Sequence, residues 1–363
     1  MSSILLVDDN EALLDDLAAE LTPLVGPDVQ IRRWVPARED HLDDVFGRQV
    51  DDQTIFVATD YDLTKRGQTG LFGTSVVSWC QARSIPVADF SRGNPGALPK
   101  EPDLFELRIP NPGDAHGTAR YIATLCRGFL NIAAALRGRP ELLDRKSPAS
   151  VLAGILGVPA DESQFALYGV RFGAASGALM AKMADAAAPE IQPTNADKAK
   201  LLTYIVGHLL VNAVLRFPGP ILSEQAFRGY VASDEADALD VRALFDAALY
   251  QGPFAELDRF YWSSTVDGIL ETLAAALPPN VETETVGEFR RRAIEQRLGS
   301  NLRRHGCPRC HGANGGFFCP FTKRTVCTRN DCSVGSNSWI PAGANLCRIE
   351  RDFFDEWAPL LGL

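Results

Sequence analysis

Short apolar runs of strand length alternate with helix-length amphipathic segments over the first 135 or so residues, and that alternation leaves few folds open. Ile4–Val7, Val29–Val35, Thr54–Thr59, Ile85–Phe90 and Phe105–Ile109 read as strands. The first run has no polar alternation, as expected of a strand covered on both faces. Between the runs, Leu13, Leu14, Leu17 and Leu21 recur at helical spacing behind Asn10, a residue suited to capping a helix. Further helices are predicted over Glu39–Phe46, Thr74–Arg83 and Tyr121–Leu136. Strands regularly interleaved with helices predict an α/β fold, a doubly wound parallel sheet of five strands. This first domain spans residues 1–138, and the stretch Arg137–Pro148, mixing Gly, Pro and charge, separates it from the rest of the chain.

Residues 148–286 show helical periods almost throughout and predict an all-α domain. The segments are Ala149–Leu156, Ser163–Met183, Ala196–Phe217, Ser223–Tyr230, Ala236–Tyr250 and Phe254–Leu277, with a basic helix from Val286 opening a third region, 287–363. No period in the repeat range argues for a solenoid. The most apolar run, Leu201–Phe217, contains Gly207, His208, Asn212 and Arg216, so it predicts a buried core helix and no membrane partner. With no secretory leader in view, a cytoplasmic location is expected. The net charge of -10 excludes a protein that coats nucleic acid along its whole length.

In a doubly wound sheet, ligands bind beyond the carboxyl ends of the strands. Asp8 and Asp9 follow the first strand, and Asp60 and Asp62 follow the third. If those strands are neighbours, the carboxylates converge and repel one another unless a cation lies among them. Oxygen donors suit Mg²⁺. A carboxylate beside Mg²⁺ acts as a nucleophile toward a phosphoryl group, because the metal offsets charge in the transition state. Ser91, after the fourth strand, is placed to donate to phosphoryl oxygens.

The run Ile4-Leu5-Leu6-Val7-Asp8-Asp9-Asn10, then Asp60-Tyr61-Asp62-Leu63, then Ile85-Pro86-Val87 leading to Ser91, resembles response-regulator receiver domains over about 130 residues. The resemblance implies a flavodoxin-like receiver fold in which Asp8 and Asp9 hold Mg²⁺ and Asp60 accepts phosphate. It further implies that Asp62 lends its backbone carbonyl to the metal, that Ser91 is the switch hydroxyl, and that a sensor histidine kinase or another phosphodonor is the partner. Two departures stand out. Receivers carry Lys before Pro after the fifth strand, whereas this chain has Arg108-Ile109-Pro110, leaving Arg108 as a stand-in one position early. Only about a dozen residues separate Ser91 from the fifth strand, too few for a full fourth helix. A degenerate receiver, kept as an interaction surface, is therefore the alternative. Ile55–Thr64 also resembles the Asp-x-Asp-x-Thr motif of haloacid-dehalogenase phosphatases, although two strands precede it here.

Six of the eight cysteines fall between Cys307 and Cys347. Cys307 and Cys310 form a Cys-x2-Cys knuckle; Cys327 and Cys332 follow a gap of 16 residues. This spacing predicts one Zn²⁺ held by these four, with Cys319 as an alternative ligand and His305 and His311 as further candidates. Four protein ligands make a closed, structural site. Ten cationic side chains lie between Arg290 and Arg329, against Glu295 alone. Such a block predicts either nucleic-acid binding at 290–329 or pairing with acidic residues such as those in Asp234–Asp246. The expected whole is a regulatory protein: a receiver-like input, a helical region that transmits the signal or forms a homodimer, and a zinc module that engages a partner.

Overall fold

The computed structural model describes residues 2–37, 42–60, 63, 73–90, 105, 107–109, 114–169, 194–234, 238–277, 285–311, 317–335 and 338–359. The chain forms two compact units, Met1–Gly157 with Ala175–Asn212, and Val158–Ala174 with Ala213–Leu363.

The first unit is α/β. Its strands are β1 (Ser2–Val7), β2 (Val29–Trp34), β3 (Thr54–Thr59), β4 (Val87–Asp89) and β5 (Leu107–Arg108). They form one sheet in the order β2-β1-β3-β4-β5 with every pairing parallel. That order is compatible with a flavodoxin-like domain. Helices cover both faces. On one, Leu5, Val7, Val57 and Val87 pack against Phe46 of α2 (Leu42–Gln49) and against Val76, Trp79 and Cys80 of α3 (Gly73–Ala82). The other face meets α1 (Glu11–Val25) and α4 (Ala115–Gly138), with the Phe56 and Phe129 rings 6.3 Å apart. Asn10 caps α1 as its sequence position predicts, its side chain accepting from the Leu13 N–H at 3.3 Å. Asp114 caps α4 through the Gly117 N–H at 2.6 Å.

After α5 (Pro148–Leu156) and a helical stretch over 162–169, α6, comes α7 (Asn195–Leu209), opened by a reciprocal Thr194–Asp197 capping box. The sequence places α7 in the middle domain, yet it packs on α4 of the first unit. Gly207 is the reason it can approach so closely. A Cβ there would lie 2.2 Å from the Phe129 ring. Tyr204 and His208 complete the contact, with Tyr204 stacked on Phe105 at 5.0 Å and His208 5.1 Å from Phe129. The apolar run that predicts a core helix is one, and among the described residues no helix is long and apolar enough to cross a membrane.

The expectation of an all-α region over 148–286 is corrected by the second unit. It contains β6 (Ile221–Ser223) paired antiparallel with β7 (Phe260–Trp262). Three consecutive aromatics favour a pleated, half-buried ribbon over a helix interior, and tertiary packing decides in their favour: Tyr261 stacks on Phe227 with centroids 4.5 Å apart. Three helices, α8 (Glu224–Tyr230), α9 (Leu239–Leu244) and α10 (Ser263–Ala274), surround the pair. Ser223 ends β6 and caps α8. Helix α11 (Val286–Leu298) stops where Gly299 adopts a left-handed φ of 68°. Beyond it lie two small antiparallel pairs, β8 (Phe317–Cys319) with β9 (Arg324–Val326), and β10 (Ser333–Val334) with β11 (Ile349–Glu350), and then α12 (Arg351–Trp357).

Candidate metal centres

The first candidate centre is a property of the sheet. β1 and β3 are neighbours in a register that aligns Val7 with Thr59, and the Asp60 N–H donates to the Val7 carbonyl at 2.9 Å. The next residues, Asp8 and Asp60, therefore leave adjacent strand ends on one face. Asp9 joins them, and an oxygen from each of the three carboxylates lies within 4.8 Å of the others. All three are buried, at 2, 3 and 8% exposure. Burial pushes the Asp8 carboxyl up to about 6, with the charges of Asp60 and Asp9 adding to the effect and the Asn10 N–H, 2.7 Å from Asp8 Oδ1, opposing it. Hard oxygen donors crowded in a buried site fit a divalent cation, whose charge would relieve the repulsion that raises Asp8.

Of the remaining residues read from the sequence, Asp62 and Ser91 lie outside the described residues. Arg108 is described. Register aligns Thr59 with Asp89 and Asp89 with Arg108, so Arg108 belongs to the row before Asp60. Ile109, whose N–H donates to the Asp89 carbonyl at 2.9 Å, occupies the row of Asp60 and is buried. By the alternation of a strand, Arg108 leaves the sheet on the face opposite Asp60. Sequence reading missed Asp89, a buried carboxylate at the end of β4. Its signal was an acidic residue inside the apolar run Ile85–Phe90.

The second candidate centre gathers Cys307, Cys310, Cys327 and Cys332, with all four sulfurs within 4.8 Å of one another. Cys310 Sγ and Cys327 Sγ are 3.9 Å apart, far beyond a disulfide, and all eight cysteines are free thiols. The two knuckles share a construction. The sulfur of Cys307 accepts the backbone N–H of Arg309, and that of Cys327 accepts the backbone N–H of Arg329, each two residues on. At Cys307 burial raises the thiol, but the N–H groups of Cys310 and Arg309, together with the neighbouring Cys327 and Cys310 thiols, outweigh it and bring it down to about 7. Donors aimed at sulfur favour the thiolate that a metal needs.

Cys319, the alternative ligand, stands apart from this group: it ends β8, and its sulfur accepts the Glu350 N–H at 3.3 Å. Cys347 Sγ donates to the Pro218 carbonyl at 3.5 Å. His305 has both ring nitrogens engaged, Nδ1 with Asp234 and Nε2 with the Thr325 hydroxyl. This ties the chain just before Cys307 to the strand just before Cys327. Behind the second knuckle, Arg348 Nε donates to Ser333 Oγ at 2.6 Å, and the Ser333 hydroxyl donates to the Cys327 carbonyl. Nothing in the sequence marks Arg348 or Ser333 out from other polar neighbours of a cysteine cluster.

The basic block resolves into pairs. Arg290 meets Asp267 at 3.5 Å, Arg303 meets Asp234 at 3.6 Å, Arg324 meets Glu350 at 3.4 Å and Arg329 meets Asp331 at 3.8 Å. Arg291 pairs with Glu295, Arg304 with Glu288 and Arg309 with Asp352. No family model and no curated protein matches the chain.

Proposed function

We propose that the first unit is a receiver-type phosphoacceptor that signals through the second. The observation that carries this reading is the convergence of Asp8, Asp9 and Asp60 at adjacent strand ends of a parallel 2-1-3-4-5 sheet. In this reading Asp8 and Asp9 would hold Mg²⁺, and the Asp60 carboxylate forms a bond to the phosphorus of a small or protein-bound phosphodonor as the donor's own bond to that phosphorus breaks, with acetate leaving from acetyl phosphate or a neutral imidazole from a phosphohistidine. The metal supplies charge neutralisation at the transferring group. The test is mass spectrometry after incubation with acetyl phosphate and Mg²⁺. The wild type gains one phosphoryl group, and Asp60→Asn gains none. Labelling that persists in Asp60→Asn overturns the assignment.

Ile109 in the row of Asp60 favours a second reading, in which the rim binds a cation and serves as an interaction surface without accepting phosphate. A wild type that binds Mg²⁺ but gains no mass would establish it. Hydrolysis of a generic phosphomonoester would instead support a phosphatase of the haloacid-dehalogenase type.

For the cysteine centre the reading is one structural Zn²⁺. Zn–S bonds of about 2.3 Å in a tetrahedron set the sulfurs roughly 3.8 Å apart; Cys310 and Cys327 stand at 3.9 Å. Four thiolates close the site, so the metal's contribution is to folding. The arginines around it act chiefly as internal glue, since seven of the ten basic side chains already face carboxylates.

A further inference from the structure

We propose that Arg348 is a positioning residue for the second knuckle, and that retention of the metal depends on its guanidinium fork. The proposal rests on the four-thiolate reading of the cysteine centre and concerns what keeps those thiolates in place.

Cys327 and Cys332 are separated by four residues, two more than in the tight first knuckle. A longer loop has more conformations to lose, so it needs an outside constraint. The bond from the Cys332 N–H to the Arg329 carbonyl at 2.9 Å supplies part of it. The rest converges on one side chain. Arg348 donates from Nε to Ser333 Oγ at 2.6 Å, and from Nη2 to the Ser333 carbonyl at 3.1 Å and the Thr328 carbonyl at 3.4 Å. Ser333 directly follows one ligand, and Thr328 directly follows the other. The Ser333 hydroxyl passes the constraint on by donating to the carbonyl of Cys327 itself. Ser333 is 1% exposed, so this relay is shielded from competing water.

Arg348 is itself anchored. Its N–H donates to the Phe318 carbonyl at 3.0 Å, which fixes its backbone to β8. A Cβ on Gly335 would come within 3.0 Å of Nη1, so a glycine opens the space in which the fork lies. The guanidinium also brings positive charge beside four sulfurs that together carry a net negative charge when they bind a divalent ion. The planar fork is the part of this that lysine cannot copy.

The experiment uses the full-length, zinc-loaded protein and follows zinc release to a chromogenic chelator. Outer hydrogen-bond partners of metal ligands change affinity by about 10–100-fold. Arg348→Met is expected to release zinc at least about tenfold faster than wild type, and Ser333→Ala to release it faster as well. The double variant should be no worse than the more damaging single one, because the two act in one relay. Arg348→Lys should behave like Arg348→Met. If Arg348→Met does not fold, Arg348→Lys and Ser333→Ala carry the comparison. Cobalt substitution gives a second readout: the thiolate-to-cobalt bands should shift in the variants while thermal unfolding of the first unit stays put. Release at the wild-type rate from all variants, or full rescue by Arg348→Lys, overturns the role of the fork while leaving the metal reading intact. A wild type that holds no zinc when purified without chelator overturns the four-thiolate reading, and this proposal with it.

Discussion

At the rim of the first unit, three carboxylates sit on a sheet whose core is complete without them; at the knuckles of the second, four thiols lie beside strands of two or three residues whose apolar cluster, around Val326, Trp339 and Ile349, does not include the knuckles. Leu5, Val7, Val57, Val87 and their helical partners would hold β1, β3 and β4 together whatever stood at residues 8, 9 and 60. The carboxylates are a burden on that fold, as the rise of Asp8 to about 6 shows. The thiols are the reverse. Cys307, Cys327 and Cys332 are themselves the buried cluster between the two knuckles. In one place the fold positions the site; in the other the site's own sulfurs are the local packing.

The sharpest break of this contrast is metal removal. Chelation, or Cys327→Ser, is expected to unfold the segment from about residue 303 to 335 and leave the five-stranded sheet intact. Structural zinc in small modules contributes about 10–16 kcal/mol of apparent binding free energy at neutral pH, so the loss should dominate every other change considered. Hydrogen exchange should show amide protection falling at least about a hundredfold at Val326 and Ser333, roughly 3 kcal/mol, with Leu6 and Val57 unchanged. Equal protection with and without chelator would mean that the hairpins stand alone. Chelation of the first site should act in the same direction on its unit but far more weakly: losing the cation restores repulsion without unfolding the sheet.

Two buried groups of the first unit give it an acid profile that separates site from core. Asp8 titrates near 3.8 when unfolded and at about 6 when folded, so the folded state holds the extra proton between those values. Stability from this group is therefore lost as pH rises from about 4 to 6, by about 3 kcal/mol in all. His208 runs the other way. Burial lowers it from 6.5 to about 4, outweighing the carbonyls of Tyr204 and Phe105 that favour the cation. The unfolded chain then binds the proton first, and stability is lost as pH falls through that window, again by about 3 kcal/mol. In the metal-free wild type the two slopes nearly cancel between pH 4 and 6. Asp8→Asn should leave the His208 slope, stability rising with pH. His208→Phe should leave the Asp8 slope, stability falling with pH. Saturating Mg²⁺ should make the wild type resemble Asp8→Asn, since a bound cation lowers the carboxylate. Urea titrations at pH 4, 5 and 6.5 check all three; parallel curves for wild type and both variants would show that neither group carries the shift assigned to it.

Legibility in the sequence divides along the same line. The parallel sheet announced itself because a strand buried on both faces leaves an unbroken apolar run, and Thr54–Thr59 matches β3 end to end. The carboxylates were legible from their positions just past such runs, and the knuckles from cysteine spacing. The Phe260–Trp262 strand was not, because a strand of three residues is shorter than the window over which a period can be recognised. Nor was the place of α7, whose fit against α4 turns on one missing side chain at Gly207. Restoring that side chain tests the point: Gly207→Ala forces a methyl into the Phe129 ring and should cost about 1–3 kcal/mol in the first unit, despite alanine's better helix propensity. A stabilised variant would show that α7 and α4 have room to spare.

The basic block carries the smallest expected effect and the finest distinction between the two regions. Spacing along the chain presents ten cations as one field, whereas folding hands most of them to individual carboxylates drawn from both sides in sequence, Asp234 and Asp267 before the block and Glu350 and Asp352 after it. A paired arginine has its field largely cancelled beyond a Debye length, about 8 Å at physiological salt. Exposed pairs are individually worth roughly 0–1 kcal/mol. Arg303 and Arg304 pair with Asp234 and Glu288, so Arg303→Glu with Arg304→Glu replaces two attractions by two repulsions. The expected result is a loss of about 1–2 kcal/mol in the second unit, shrinking as salt rises. Labelled duplex and single-stranded DNA should bind weakly at low salt and not at roughly 0.15 M, for wild type and variant alike. A protein that used this block on nucleic acid would differ on every count. It would bind with a steep negative dependence on salt as counterions are released, and the double variant would flatten that slope. Its stability would change little, because cations kept for a ligand are not holding the fold together. The two measurements, salt dependence of binding and salt dependence of unfolding, therefore move in opposite directions under the two readings, and the carboxylates already seated on these arginines place the weight on unfolding.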